Sequence, residues 1–274
     1  MAGGCILDVR RIQYELRKRR ADEILDFAFV VIREKMGQIV RITAPFILAF
    51  LALNMALVYL IRASGEQESG VIQLLLLPVV LLELMVLQVP LFHMNARWLF
   101  EEKVADRTIW KDTGRTFLPF LGRIILPYLI QLVLAPLLLP LWNVLIRSFY
   151  RPEVLFLEGL RGRDLRRRIS SLTSAFQVFT FWIFHAVLFW VAMYLSLTFC
   201  EAILELLRVQ NYQQFTAFNL ASPLFLLLLM LYSVFFAVSR FLFYVDARTY
   251  LEAWDLELQL IRGLDEMTSQ KRIS

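Results

Sequence analysis

The chain has 274 residues and a formal net charge of +5 at pH 7, with 59% hydrophobic and 19% charged residues. Its mean hydropathy is +0.61, and its apolar share exceeds the roughly 45–50% of soluble domains, which excludes an ordinary soluble domain. No polar stretch is long enough to bury a core of its own, so one membrane domain is expected to account for the whole chain.

Four apolar stretches predict membrane-spanning helices. Each of them reaches or exceeds the ~20 residues that a helix needs to cross a hydrocarbon core of ~30 Å. They cover residues 42–61, 71–94, 176–207 and 221–245. The sequence therefore predicts an all-α fold, a polytopic transmembrane helical bundle whose transmembrane domain covers residues 42–246.

A fifth apolar stretch, residues 118–146, decides the topology because Pro127, Pro136 and Pro140 interrupt it. Proline removes a backbone donor and breaks a helix. The stretch could cross the membrane once or twice, or it could enter and return as a re-entrant or helical hairpin. Irregular backbone at membrane depth is tolerated where protein covers it.

The distribution of Lys and Arg favours the hairpin, since these residues accumulate on the cytoplasmic flanks of membrane helices. The segment before residue 42 and residues 147–175 are both rich in arginine. A single crossing by residues 118–146 would place one of these basic segments outside, whereas a hairpin keeps both on one side. We therefore expect four full spans plus a hairpin, a basic cytoplasmic loop over 147–175, and a multi-pass plasma-membrane protein with both termini cytoplasmic.

Amphipathic segments flank the predicted spans. Residues 1–41 begin with a basic leader, which lacks the apolar core of a signal peptide and is not expected to be cleaved. A stripe with Ile24, Ala28 and Val31 follows and predicts a helix lying in the membrane interface. Residues 247–274 form a cytoplasmic amphipathic tail, and its acidic residues are expected to form an ion-pair cap with the basic loop. The candidate residues of this cap are Arg166, Arg167, Asp246, Arg248, Glu252 and Asp255.

Glu83 is the most informative polar residue inside a predicted span, where a charge costs a few kcal/mol. It needs a proton or a partner, and Asn54 in the first span is a candidate hydrogen-bond partner. Gln88 and His93 follow in the same segment and complete the candidate intramembrane polar site. Two interpretations stay open: Glu83 is a buried packing residue that orients helices, which we favour, or it relays protons or cations.

Three segments carry a family resemblance. They are ADEILDFAFVVIREKMGQIVR before the first span, RPEVLFLEGLRGRDLRRRISSL after the hairpin, and FLFYVDARTYLEAWDLELQL at the end of the last span. Together they resemble bacterial families related to the membrane domain of glycerophosphoryl diester phosphodiesterase. In such families the membrane domain is not the hydrolase, so the resemblance implies a stand-alone module of the bacterial inner membrane. Relatives often have room for two spans before RPEVLFLEG, where this chain has one Pro-broken stretch.

The favoured functional hypothesis is a non-catalytic integral membrane module that scaffolds or assists a partner in the bacterial envelope. The alternative is a transporter or channel-like protein that uses Glu83 and the broken hairpin. An enzyme acting on a lipid would require Glu83, His93 and His185 to converge. No catalytic residue, cofactor or metal site is predicted. The expected partners are membrane lipids, with another membrane protein or a homo-oligomer left open; nucleic acid is not expected, because the positive-inside rule explains the arginines.

Overall fold

A computed structural model describes residues 20–64, 69–99, 101, 104–120, 122, 149–160, 162–210 and 212–252. Within these ranges the secondary structure is helical and contains no strand, which confirms the predicted all-α fold class. In chain order the helices are α1 (Ala21–Ala63), α2 (Ser69–Trp98), α3 (Asp106–Phe120), α4 (Arg151–Leu157), α5 (Gly162–Leu172), α6 (Ala175–Leu206), α7 (Gln213–Thr216) and α8 (Pro223–Glu252).

Four of these helices, α1, α2, α6 and α8, are long and apolar enough to cross a membrane. They coincide with the four apolar stretches of the sequence, and the chain is a multi-pass membrane protein. The predicted hairpin falls almost entirely outside the described residues, as do the basic leader up to residue 19 and the tail from residue 253 onward.

The predicted interfacial helix and the first predicted span form one continuous helix, α1, of 43 residues. Pro45 lies inside it and does not end it. The apolar stripe near its start faces protein, since Ile24 and Ala28 are 2% and 0% exposed and belong to the main hydrophobic core. The amphipathic pattern of this segment is therefore satisfied by packing against the rest of the bundle.

Helix α8 is the centre of the bundle. It packs against α1 and α2 over long contacts and against α6 over a shorter one. Of the four candidate spans, α8 is the most buried and α6 the least. Much of the α6 surface consists of exposed large apolar side chains, such as those of Phe176, Tyr194 and Leu206. This is expected for a helix that contacts lipid on most of its circumference.

The predicted basic loop is folded into the two short helices α4 and α5. Gly159 and Gly162 have φ angles of +68° and +61°, a left-handed conformation that glycine adopts without steric cost, and they let the chain turn between the two helices. Leu165 and Leu172 of α5 are buried, and α5 contacts α8. The segment is thus held against the C-terminal part of α8.

A polar contact joins α1 to the start of α3. Gln38 Nε2 donates to Asp106 Oδ1 at 2.8 Å, and Arg41 Nε donates to Asp106 Oδ2 at 2.9 Å. The hydrogen bond from Gln38, with a further contribution from Arg41, holds the pKa of Asp106 below its ordinary value, although partial burial opposes this. Trp98 Nε1 donates to Gln38 Oε1 at 2.9 Å, so the end of α2 is fixed at the same place.

Candidate functional site

Glu83 and Asn54 lie together at the contact between α1 and α2. Asn54 Nδ2 donates to Glu83 Oε2 at 2.6 Å and also to the carbonyl oxygen of Phe50 at 2.9 Å. Both side chains are buried, with exposed fractions of 3% for Glu83 and 0% for Asn54. The Oε1 atom of Glu83 is also buried and has no hydrogen-bond partner among the described residues. This hydrogen bond joins the spans α1 and α2.

The other two residues of the predicted intramembrane site bond elsewhere. Gln88 Oε1 accepts a hydrogen bond from Arg240 Nη1 of α8 at 2.9 Å. His93 Nε2 lies 2.6 Å from Thr116 Oγ1 of α3. Of the four predicted residues, the structure therefore brings only Glu83 and Asn54 into direct contact, while Gln88 and His93 join α2 to two further helices.

Arg240 forms the most buried ion pair among the described residues. Its Nε atom donates to Glu153 Oε1 at 2.9 Å, and the exposed fractions of the two side chains are 11% and 1%. Burial raises the pKa of Glu153, and the positive charge of Arg240 opposes that rise. Because Arg240 also donates to Gln88, one guanidinium connects α2, α4 and α8.

Glu158, just after α4, accepts bonds from two other segments. Arg168 Nε of α5 donates to its Oε2 atom at 2.6 Å, and Tyr244 Oη of α8 donates to its Oε1 atom at 2.9 Å. Arg248 Nη1 lies 4.0 Å from the same Oε1 atom. Nearby, Tyr150 Oη donates to the carbonyl oxygen of Phe243 at 3.3 Å. These bonds hold the short helices against α8.

The ion-pair cap is therefore built partly from residues other than those predicted. Arg248 takes part through Glu158. Arg166 and Arg167 are exposed and form no ion pair with the described residues, whereas Arg168 does. With about 100° between successive helical residues, position 168 lies beside the buried stripe of α5, and positions 166 and 167 point away from it.

The remaining predicted cap residues lie in the last two turns of α8 or beyond its end. Asp246 is buried, and its charge together with that of Glu153 adds to the effect of burial in raising the pKa of Tyr150. Glu252 ends α8, and its side chain lies outside the described part. Asp255 lies outside the described residues altogether.

Glu153 and Glu158, the carboxylates that bond to Arg240 and Arg168, are not among the cap residues predicted from the sequence. A signal for them exists in RPEVLFLEG, where two carboxylates flank an apolar run and stand five residues apart. Carboxylates are rarely buried unless they are paired. Acidic residues placed at both ends of such a run therefore indicate partners on another helix.

His185 of α6 is buried and hydrogen-bonded on both ring nitrogens. Its Nδ1 atom lies 2.9 Å from Tyr232 Oη, and its Nε2 atom lies 2.9 Å from Ser239 Oγ. Tyr232 Oη also donates to the carbonyl oxygen of His185 at 2.7 Å. His185 thus fixes α6 to α8, while Glu83 and His93 bond to α1 and α3 respectively.

A partly open cavity of about 550 Å³ lies between α2, α6 and α8. Its walls are mainly apolar and aromatic, and Arg240 and Gln88 form a polar end. On α2 the lining residues include Leu81 and Leu84, whereas Glu83, which stands between them in sequence, bonds to Asn54 of α1. The volume lies within the roughly 300–1,000 Å³ of ligand sites.

Within the described ranges, no group of three or more His, Cys, Asp or Glu side chains is arranged to hold a metal ion. Comparison with known proteins adds no relative: no family model matches the chain, and neither a curated protein nor a solved structure matches it.

Proposed function

We propose that this chain is a non-catalytic integral membrane module that scaffolds or assists a partner in the bacterial envelope. The observation that carries the proposal is the hydrogen bond between Asn54 and Glu83 at the contact of α1 and α2. A carboxylic acid in this position acts as a helix-packing group when its partner is on a neighbouring span. The alternative, a transporter or channel-like protein, needs Glu83 on a polar path.

The surroundings of Glu83 support the packing role. It is 3% exposed, and it is not among the described residues that line the cavity between α2, α6 and α8. Burial beside a hydrogen-bond partner on a neighbouring span supports a structural polar contact, since hydrogen bonds between membrane helices contribute about 1 kcal/mol each to helix association.

The other polar side chains of the spans support the same interpretation. Gln88 and Arg240 join α2 to α8, His93 contacts Thr116 of α3, and His185 joins α6 to α8. Each of them connects two helices. A bundle held together by such contacts provides a rigid platform, which suits a module that supports another membrane component.

The family resemblance and the charge distribution complete the proposal. The three segments that resemble the glycerophosphoryl diester phosphodiesterase membrane-domain families favour a stand-alone bacterial module. The positive-inside rule places both termini and the α4–α5 segment on the cytoplasmic side of the inner membrane. Membrane lipids are its immediate surroundings, and its partner is another membrane protein or a second copy of the chain.

Flux measurements separate the two functions. The full chain and the variant Glu83→Gln are reconstituted into lipid vesicles, and proton and monovalent-cation flux is followed with internal dyes. We expect both proteins to leave the permeability at the level of protein-free vesicles, because Glu83 is a packing residue. The matched control is Gln88→Glu, which adds a carboxylate on the same helix at a position that does line the cavity.

A flux that the wild-type chain catalyses, and that falls to the background in Glu83→Gln while the variant stays folded, would establish the transporter alternative and refute the packing role.

A further inference from the structure

The cavity between α2, α6 and α8 is amphipathic along its length. On α8 its lining runs from Leu229 to Arg240, which is about 16 Å at 1.5 Å per residue. Arg240 meets Gln88 at one end. Leu81, Phe189 and Leu229 line the part away from this end, where no charged residue is among the described lining residues.

The direction of α6 follows from its ring contacts with α8. Trp182 lies 5.5 Å from Phe236 between ring centroids, and Phe189 lies 5.1 Å from Tyr232. Helix α6 therefore runs antiparallel to α8, and Trp190 belongs to the apolar end of the cavity. Trp190 lines the cavity and is 58% exposed, so this end of the cavity reaches the surface of the described part of the bundle.

The polar end has an unused donor. Arg240 donates from Nε to Glu153 and from Nη1 to Gln88, and its Nη2 group makes no hydrogen bond with the described residues. Since a guanidinium has five N–H donors in a fixed plane, donors remain for a ligand oxygen at the cavity wall.

We propose that this cavity binds one molecule of an anionic amphiphile, with its phosphate or carboxylate head group at Arg240 and Gln88 and its acyl chain along the apolar walls toward Trp190. The polar end matches an acidic head group, because a guanidinium forms strong charge-assisted bonds with phosphate and carboxylate oxygens. The apolar remainder matches a hydrocarbon chain. A lipid would enter sideways from the bilayer past Trp190.

Native mass spectrometry of the full chain in a nonionic detergent tests this site. The probes are phosphatidylglycerol, phosphatidylcholine and inorganic phosphate. We expect one phosphatidylglycerol molecule per chain to bind about tenfold more tightly than phosphatidylcholine. Both lipids offer a phosphate to Arg240, but only phosphatidylcholine brings a choline cation beside the guanidinium, where like charges repel. Equal affinity for the two lipids would overturn the head-group assignment. Displacement of the lipid by millimolar phosphate alone would overturn the amphiphile assignment.

A matched pair of variants on α6 locates the binding. Ala186 lines the cavity and is exposed within it, so Ala186→Phe fills space without disturbing packed neighbours. Val187, the next residue, is 60% exposed and does not line the cavity. We expect Ala186→Phe to weaken phosphatidylglycerol binding about tenfold or more and Val187→Phe to leave it unchanged. If both variants bind like the wild type, the cavity is not the site.

Two further variants keep the test decisive. Ala186→Leu is a smaller change at the same exposed position and replaces Ala186→Phe if the latter fails to fold. The double variant Arg240→Gln with Glu153→Gln exchanges the ion pair for an amide pair. It should reduce the preference for phosphatidylglycerol over phosphatidylcholine to near unity, and a retained preference would contradict the role of Arg240.

Discussion

Arg240, on the central helix α8, donates a hydrogen bond from Nε to Glu153 Oε1 on α4 at 2.9 Å. The two residues are 87 positions apart in the chain, and the carboxylate is 1% exposed. The pair connects a membrane-spanning helix to the segment that the sequence marks only as a basic loop. Arg240 also donates to Gln88, which extends the connection to α2.

Breaking this pair from one side is expected to be costly. Arg240→Leu leaves Glu153 buried without its cation, and the loss of one partner of a buried ion pair destabilises a protein by about 3–5 kcal/mol. Adding Glu153→Leu removes the unpaired carboxylate and should restore most of the lost stability. Denaturant unfolding of the two single variants and the double variant measures this coupling. Additive effects of the two substitutions would contradict it.

The contact between Glu158 and Arg168 predicts a loss of stability that can be compared with a change at the exposed neighbour Arg167. Arg168→Gln removes a partly buried ion pair with a distance of 2.6 Å and should lower the free energy of unfolding by about 1 kcal/mol. Arg167→Gln removes the same charge from an exposed neighbouring position and should change stability little. Thermal unfolding of both variants at one salt concentration is the measurement. Equal losses of stability in the two variants would show that only the net charge of the segment affects stability, and would contradict the role of the ion pair.

Asp106 predicts a dependence of stability on pH. Its pKa in the folded protein is lowered from the ordinary value of 3.8, first by Gln38 and then by Arg41. The stabilisation that follows is present above 3.8 and is lost as the pH falls through the lower folded pKa. Melting temperatures measured down a pH series should therefore fall more steeply in the wild type than in Asp106→Asn. Arg107→Gln, at an adjacent exposed position, should keep the wild-type dependence of melting temperature on pH. Parallel curves of melting temperature against pH for the wild type and Asp106→Asn would refute the role of Asp106 in this dependence.

The topology is testable by chemical labelling in intact cells. In a background without Cys5 and Cys200, single cysteines are placed at Ser64, Ser170 and Gln213. The four-span topology with the α4–α5 segment inside predicts that an impermeant maleimide labels positions 64 and 213 but not 170. Labelling at 170 from outside would mean that residues 118–146 cross the membrane an odd number of times.

The four spans could be predicted from the sequence because length and hydropathy alone determine them: a stretch of twenty or more apolar residues has few alternatives to a membrane helix. The contact between Asn54 and Glu83 could also be predicted from the sequence, since the two residues are isolated polar residues in consecutive spans. Proximity of such residues follows from the antiparallel packing of neighbouring spans.

The cavity and the α4–α5 contacts could not be predicted in the same way. They depend on which residues of distant segments face one another. The 87 residues that separate Glu153 from Arg240 in the chain follow from no helical period. The choice of Arg168 rather than Arg166 or Arg167 depends on the rotation of α5, which is determined by the burial of Leu165 and its apolar neighbours. Tertiary packing decides these pairings.

Polar side chains in the spans hold the helices together, and a double-mutant cycle on Asn54 and Glu83 measures this for the contact between α1 and α2. The free energy of unfolding is measured for the wild type, Asn54→Leu, Glu83→Leu and the double variant, with Glu83→Gln as the conservative control. We expect a coupling free energy of about 1 kcal/mol and a stability near that of the wild type for Glu83→Gln. The largest loss of stability is expected for Asn54→Leu, which leaves the carboxyl group of Glu83 buried without its donor. Additive single effects, with no coupling between the two positions, would contradict it.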